Sequence, residues 1–142
     1  MTPVFLSVEE ILEFHEDQIQ RHGGSLGVRD MGMLQSAVAM PQTAFGGQFA
    51  HSDLFEMAAA YLFHIAQNHP FVDGNKRVAA VSCVTFLSSN GLEPEMSDEE
   101  LVSLTLSTAE GKASKSAIAE YLRSHTRPAR PAKRSRRGRK RP

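Results

Sequence analysis

The chain has 142 residues, with 16 Lys and Arg against 16 Asp and Glu, and a single cysteine. A chain of this length forms one domain that buries roughly two-thirds of its unfolded surface, and one cysteine excludes an intrachain disulfide. No apolar run approaches the ~20 residues of a membrane span, and residues 1–7 lack the basic flank and apolar stretch of a secretion signal. We therefore expect a cytoplasmic protein that does not enter the membrane.

The net charge of zero is the sum of two opposite parts. Residues 127–142 hold nine basic residues, three prolines and no acidic residue, whereas residues 1–126 carry a net charge of minus nine. A segment so charged and so poor in apolar side chains cannot offset the entropy of ordering. We predict one domain over residues 1–126 and a disordered basic tail over 127–142. The tail is interpreted as a solvated extension, with weak, salt-dependent contact with nucleic acid as the alternative.

Capping residues and hydrophobic periodicity organise the first third of the chain. Ser7 with Glu10 predicts a helix that runs to about His22, and a second helix follows Asp30 and ends before Pro41. Between residues 42 and 51, turn residues and alternating aromatics predict a short hairpin or flap. Either it is an ordinary loop, or it docks a target segment by strand addition, for which the candidate residues are Phe45, Gly46, Gly47 and Phe49.

The remaining part of the domain is also predicted to be helical. Asp53 with Glu56 and Ser97 with Glu100 have the spacing of helix starts, and the segment after residue 75 is apolar nearly all round, which indicates a central buried helix. The expected helices run from Asp53 to about Asn68, Lys76 to about Ser89, Asp98 to Thr108 and Ser114 to Ser124. The fold class is therefore all-α, a compact bundle of about six helices around a central buried helix.

Chemically active side chains crowd into the connection before that central helix. Helix N-termini attract anions, and Gly74 lets the backbone approach a phosphate closely. Lys76 and Arg77 add positive charge, and the forked guanidinium group can hold two phosphate oxygens. The connection therefore predicts a binding site for ATP.

The same connection holds groups suited to transfer chemistry. A carboxylate beside a phosphate is repulsive unless a divalent cation lies between them, so Asp73 is predicted to bind Mg²⁺. His69 has the pKa range of a general base for a hydroxyl nucleophile. Phe71 is expected to point inward as a structural anchor, and Asn75 either bonds a phosphate oxygen or holds the backbone of the connection.

The run His69-Pro70-Phe71-Val72-Asp73-Gly74-Asn75-Lys76-Arg77 resembles the H-x-F-x-[DE]-G-N-[GK]-R signature of the Fic/Doc (Fido) family. Two further segments, 27–37 and 58–63, resemble the flanking helices of its death-on-curing branch, so the likeness covers about Phe5 to Leu122. The resemblance implies the all-α Fic/Doc fold, His69 as general base and Asp73 as the Mg²⁺ ligand. It also implies that Asn75 and Arg77 contact phosphates.

Two positions depart from the members of the family that transfer AMP. Lys76 replaces a glycine, and Ala80 replaces a second arginine that binds phosphate. In the death-on-curing branch this change goes with transfer of the γ-phosphoryl group, so the resemblance implies a protein Ser/Thr kinase. Its implied target is elongation factor Tu, whose modification arrests translation. AMP transfer to a protein hydroxyl is the alternative, and a catalytically inactive binding module is a second one.

The resemblance also implies how the protein is controlled. Some family members inhibit themselves through a [ST]-x-x-x-E-[GN] motif, and the nearest string here, Leu106 to Gly111, begins with leucine instead of Ser or Thr. Inhibition is then expected from a separate small antitoxin, Phd-like, whose disordered segment folds onto the domain. We therefore expect the toxin of a type II toxin-antitoxin system.

Overall fold

The computed structural model describes residues 2–130, and within them the predicted all-α bundle is confirmed. None of the helices in this part of the chain is long and apolar enough to cross a membrane. The six helices are α1 (Val8–His22), α2 (Met31–Ala39), α3 (Leu54–Asn68), α4 (Asn75–Ser89), α5 (Asp98–Ala109) and α6 (Lys115–Ser124). A single 3₁₀ turn, Met40–Gln42, extends α2, because Pro41 at its second position is compatible with a new helical start.

The predicted helix starts are formed by side-chain caps. The Ser7 hydroxyl accepts a hydrogen bond from the Glu10 N–H at 3.1 Å, and the Glu10 carboxylate accepts one from the Ser7 N–H at 2.9 Å. Asp53 caps α3 in the same way through the Glu56 N–H. The Glu56 carboxylate, however, accepts from the N–H of Ser52, one residue earlier than a capping box requires.

The core lies mainly between α3 and α4, and α3 is the more central of the two. It packs against α2, α4, α5 and α6, whereas α4 packs against α1, α3 and α5. As predicted, α4 is a buried helix, although Ala80 and Val81 are half-buried and line an open cavity. Cys83, on the inner face of α4, is fully buried, and burial raises the pKa of its thiol to about 12.

A small antiparallel sheet joins the end of the domain to the segment after α4. Its strands are β3 (Leu92–Pro94) and β4 (Thr126–Pro128). The strands β1 and β2 form the hairpin described below. Arg127 pairs with Glu93 at 2.9 Å and with Glu95 at 2.6 Å. The strand β4 therefore contains Arg127 and Pro128, the first residues of the tail predicted over 127–142. Residues 131–142 lie outside the described part, and there the prediction of disorder stays a prediction.

The predicted hairpin is present as β1 (Ala44–Phe45) and β2 (Gln48–Phe49). Gly46 and Gly47 form its two-residue turn with φ of 57° and 81°, the positive values that favour glycine. The Phe45 side chain is 73% exposed, whereas Phe49 meets the ring of Phe5 edge-on at 5.6 Å. The hairpin is thus fastened to the N-terminal segment by one aromatic side chain and presents the other to solvent.

The N-terminal segment is in turn held by Tyr61, which is fully buried in α3. Its hydroxyl accepts a hydrogen bond from the Leu6 N–H at 2.8 Å, and burial raises the pKa of the phenol to about 12. We predict that Tyr61→Phe lowers the free energy of unfolding by about 1–3 kcal/mol at neutral pH, since it leaves a buried N–H without an acceptor. Urea denaturation measures the change. Tyr121→Phe is the control because its hydroxyl lies at the surface, and equal values for the two variants would contradict the prediction.

Candidate active site

The connection between α3 and α4, residues 69–74, lies against the segment between α1 and α2. Val28 and Phe71 form an isolated antiparallel β-bridge. The Arg29 N–H donates to the Pro70 carbonyl at 2.7 Å, and the Val72 N–H donates to the Gly27 carbonyl at 3.0 Å. The connection is therefore a short strand-like segment paired with a second one, not a free loop.

His69 ends α3 in a left-handed conformation, with φ 52° and ψ 52°. Among residues 2–130 no other non-glycine residue has a positive φ. The Arg29 guanidinium bridges the two last carbonyls of the helix: its Nε donates to the His69 oxygen at 2.6 Å and its Nη2 to the Asn68 oxygen at 2.8 Å. The His69 side chain is exposed at this bend.

Phe71 and Asn75 fix the middle of the connection from inside. The Phe71 side chain is fully buried and stacks on the imidazole of His15, with the ring centroids 4.0 Å apart. The Asn75 amide is buried too: its oxygen accepts from the Phe71 N–H and its nitrogen donates to the Phe71 carbonyl, both at 2.9 Å. Of the two roles that the sequence left open for the Asn75 side chain, the structure shows the one in which it holds the backbone.

Asp73 is exposed and its carboxylate is oriented by backbone groups. One oxygen accepts from the Gly74 N–H at 2.9 Å and the other from the Ser25 N–H at 3.2 Å. The Asp73 carbonyl accepts from Nε2 of His15 at 2.9 Å, so that nitrogen of His15 carries the proton. Each carboxylate oxygen retains a free lone pair, and the pair of them is held in one orientation at the surface.

The N-terminus of α4 differs from the other helix starts in the described chain. Gly74 takes the N-cap position with φ 78° and offers no side chain, whereas the other five α-helices are capped by Ser7, Asp30, Asp53, Ser97 and Ser114. The N–H groups of residues 75–77 have no acceptor within the part that the structure describes. These three donors and the positive end of the helix dipole therefore lie beside the exposed side chains of Lys76 and Arg77, although Asn75 itself is buried.

A cavity of about 500 Å³ opens beside this helix start, between α1, α4 and α5. Its basic end is formed by the side chains of Lys76 and Arg77, and its wall is mostly apolar. The other lining residues are Gln18, His22, Ala80, Val81, Asp98, Leu101, Val102, Thr105 and Leu106. A ligand that carries an anionic group and an apolar part matches this lining.

The structure brings together all the site residues predicted in the His69 to Arg77 run, but not the hairpin. Phe49 packs on Phe5, whose ring stacks on Phe86, and Phe86 lies eleven residues after Asn75, which is about 16 Å along α4. The target-docking interpretation of Phe45, Gly46, Gly47 and Phe49 therefore gains no support, because the segment beside the catalytic connection is 24–29.

Three residues of the site were missed by the sequence analysis: His15, Gly24 and Arg29. A side chain at Gly24 would place its Cβ 2.7 Å from an Asp73 carboxylate oxygen, so glycine is required there for Asp73 to keep its position. His15 is buried, and its imidazole is satisfied by the Asp73 carbonyl. Its helical spacing with Ile11 and Ile19 placed it on the inner face of α1, but not against a particular loop.

Comparison with known proteins agrees with this geometry. The family model described as the Fic/DOC family matches residues 5–87. The chain is 36% identical over 118 residues to "Protein kinase doc" of Escherichia phage P1, which covers 83% of this chain and 92% of that protein. It is 49% identical over 71 residues to "Toxin Doc" of Mycolicibacterium smegmatis, covering 50% of this chain and 55% of that protein. With its signature residues gathered at the junction of α3 and α4, the chain belongs to the Fic/Doc family.

Proposed function

We propose that this protein is a toxin that transfers the γ-phosphoryl group of ATP to a Ser or Thr hydroxyl of a protein. The observation that carries the proposal is the uncapped N-terminus of α4, which presents three free N–H groups, Lys76 and Arg77 beside the exposed imidazole of His69. The names of the two relatives, one a protein kinase and the other a toxin, support the same reading.

The site residues divide the reaction between them. The N–H groups of residues 75–77 and the side chains of Lys76 and Arg77 hold phosphate oxygens and balance their charge. His69 takes the proton of the attacking hydroxyl while the hydroxyl oxygen forms a bond to the γ-phosphorus. The bond between the γ-phosphorus and the oxygen that bridges it to the β-phosphate breaks, so that ADP leaves. Asn75 contributes only its backbone N–H to the anion, since its side chain is committed to Phe71.

The residues also fit a bound Mg²⁺. No group of three or more His, Cys, Asp or Glu side chains that could hold a metal is found in residues 2–130, so a cage made by the protein alone does not exist in that part. Mg²⁺ commonly uses one or two carboxylates together with substrate phosphates and water, and the oriented Asp73 carboxylate supplies the one that is needed. When bound, the ion neutralises charge on the phosphate oxygens.

Phosphoryl transfer is favoured over AMP transfer by Lys76 and Ala80. Ala80 lines the cavity, but its methyl group cannot bind the second phosphate that an arginine at this position would bind. Lys76 adds a side chain at the basic end of the cavity. Both features weaken a pocket for a buried diphosphate. AMP transfer remains the alternative, and the third candidate, a catalytically inactive module, predicts no transfer at all.

Target and location follow from the resemblance to death-on-curing proteins. We propose a translation factor, elongation factor Tu, as the substrate, so that its modification in the cytoplasm stops protein synthesis. The basic residues after 130 lie outside the described part, and their weak contact with nucleic acid remains a prediction.

We further propose that a cognate Phd-like antitoxin covers the apolar wall of the cavity. Val102 and Leu106 are 64% and 42% exposed, and they lie one turn apart on α5. Two apolar side chains at this spacing can contact the apolar face of an amphipathic helix of the antitoxin. Lys76 and Arg77 at the basic end complement acidic residues on such a segment. The string Leu106 to Gly111 lacks the Ser or Thr of the self-inhibition motif, and the carboxylate of its Glu110 pairs with Lys112 at 3.2 Å.

Isotope labelling tests the type of transfer. Elongation factor Tu is incubated with the protein, Mg²⁺ and ATP labelled at either the γ- or the α-phosphate. We expect only the γ label in the product, and we expect His69→Ala to slow transfer by about 10²- to 10⁴-fold because the base is lost. His125→Ala, a second histidine at a helix end, is the matched control. Product that carries the α label would refute the kinase proposal, and no label from either ATP would favour the inactive module.

The role of Asp73 is tested by a pair of glycine variants. Gly24→Ala places a methyl group 2.7 Å from the Asp73 carboxylate, whereas Gly23→Ala meets nothing within 4 Å although its φ of 84° is also positive. We expect Gly24→Ala to raise the Mg²⁺ concentration for half-maximal transfer and Gly23→Ala to leave it unchanged. Equal Mg²⁺ dependence in two folded variants would remove Asp73 from the metal site.

The antitoxin surface is tested by Val102→Asp. The change puts a charge on the apolar wall, so we expect it to abolish rescue of growth by the co-expressed antitoxin. Growth arrest by the variant expressed without antitoxin shows that the variant is active. Val4→Asp is the control, since Val4 is similarly exposed, at 59%, but lies on the N-terminal segment. Rescue that is equally strong for both variants would show that the antitoxin binds elsewhere.

A further inference from the structure

The left-handed bend at His69 is held by a side chain that no part of the signature contains. A non-glycine residue is strained in this conformation because its Cβ crowds the backbone, and the proline that follows also excludes continuation of the right-handed helix. The position after a helix is one that glycine usually takes. Here it carries the base, so the strain that glycine would avoid has to be offset by contacts elsewhere.

Arg29 makes those contacts. The last carbonyls of α3 point out of the helix without intrahelical partners, and they mark its negative end. The Arg29 side chain donates to the oxygens of Asn68 and His69 at 2.8 and 2.6 Å, and its own N–H donates to the oxygen of Pro70 at 2.7 Å. Three consecutive carbonyls are thereby tied to one residue, which fixes the peptide planes on both sides of His69.

The support around Arg29 is itself ordered by short contacts. Asp30 caps α2 by accepting from the Met33 N–H, and the Asn68 side chain donates to the Met33 carbonyl at 3.0 Å. Val28 forms the β-bridge to Phe71. Arg29 therefore stands between two anchored neighbours, which fix the position of its backbone.

We infer that Arg29 is a positioning residue for His69: it holds the helix end in the left-handed conformation that directs the imidazole at the incoming hydroxyl. The inference rests on the proposed function. A planar guanidinium group can bridge two carbonyls, whereas an ammonium group at the same place reaches one of them. Arg29 acts through His69 and contributes no group to the transfer itself.

Kinetics of Arg29→Ala separates positioning from binding. With elongation factor Tu as acceptor and γ-labelled ATP, we expect kcat to fall by about 10- to 100-fold, since a misplacement of about 1 Å has that effect on rate. The KM for ATP should stay within twofold of wild type. Arg29→Lys should be intermediate, and methylguanidinium in the buffer should restore part of the rate of Arg29→Ala. Arg21→Ala is the matched control, because Arg21 pairs only with Asp17 on the surface of α1.

A second readout does not depend on activity. In NMR spectra the scalar coupling and Cα shift of His69 report its positive φ, and the heteronuclear NOE of its amide reports its mobility. We expect Arg29→Ala to lose the left-handed signature and to become more mobile at His69, while Arg21→Ala matches wild type. If Arg29→Ala fails to fold, the same measurements on Arg29→Lys decide.

The outcomes distinguish the two proposals. Unchanged kcat together with an unchanged signature at His69 would overturn the role of Arg29, and a raised KM with constant kcat would assign Arg29 to phosphate binding instead. If wild-type protein transfers no γ label, the proposed function fails, and the NMR comparison alone still decides whether Arg29 fixes the conformation of His69.

Discussion

The site depends on the pair of hydrogen bonds between the Asn75 side chain and the backbone of Phe71. An amide side chain presents one acceptor and one donor side by side, and here both are used on a single residue four positions earlier. The bonds are buried, so breaking either one would leave a backbone group without a partner away from water. They close the connection between α3 and α4 into one shape, with Phe71 inside and Asp73 outside.

Around that closed connection the two helix ends have opposite electrostatic character. The carbonyl end of α3 is negative and receives the Arg29 guanidinium, whereas the N–H end of α4 is positive and is left without a side-chain cap. In the proposed reaction the base, His69, therefore lies at a helix end whose dipole is satisfied by protein, and the phosphate binds at a helix end whose dipole is not. The start of α4 lies six positions after His69.

Much of this could be predicted from the sequence because the determinants are local. The capping pairs Ser7 with Glu10 and Ser97 with Glu100 fixed two helix starts, and Gly46 with Gly47 fixed the turn of the hairpin. The order of residues in the His69 to Arg77 run placed an imidazole, a carboxylate and two cationic side chains in the one connection that leads into α4. The sheet of β3 and β4 could not be predicted, since its strands are three residues each and pair across more than thirty positions.

What escaped prediction in the site has the same cause. Arg29 is forty residues from His69 and Gly24 is almost fifty from Asp73, and nothing in local spacing says that the segment between α1 and α2 lies beside the signature. Turn chemistry predicts that a hairpin forms, but not where it lies relative to the signature residues, and the target-docking role of the hairpin stays a prediction. Local chemistry thus identified the candidate reacting groups, while the residues that orient them are known only from the tertiary pairing.

The missing cap on α4 also has an energetic meaning. A capping side chain contributes a few tenths of a kcal/mol more than glycine to a helix start, and every other α-helix in the described chain has one. Leaving Gly74 in that place costs stability in the free protein and leaves donors that a phosphate can satisfy. A ligand that binds only the folded state raises the free energy of unfolding, and the increase grows with the logarithm of the ligand concentration divided by Kd. The helix start that weakens the free protein is therefore the one that makes folding and nucleotide binding support each other.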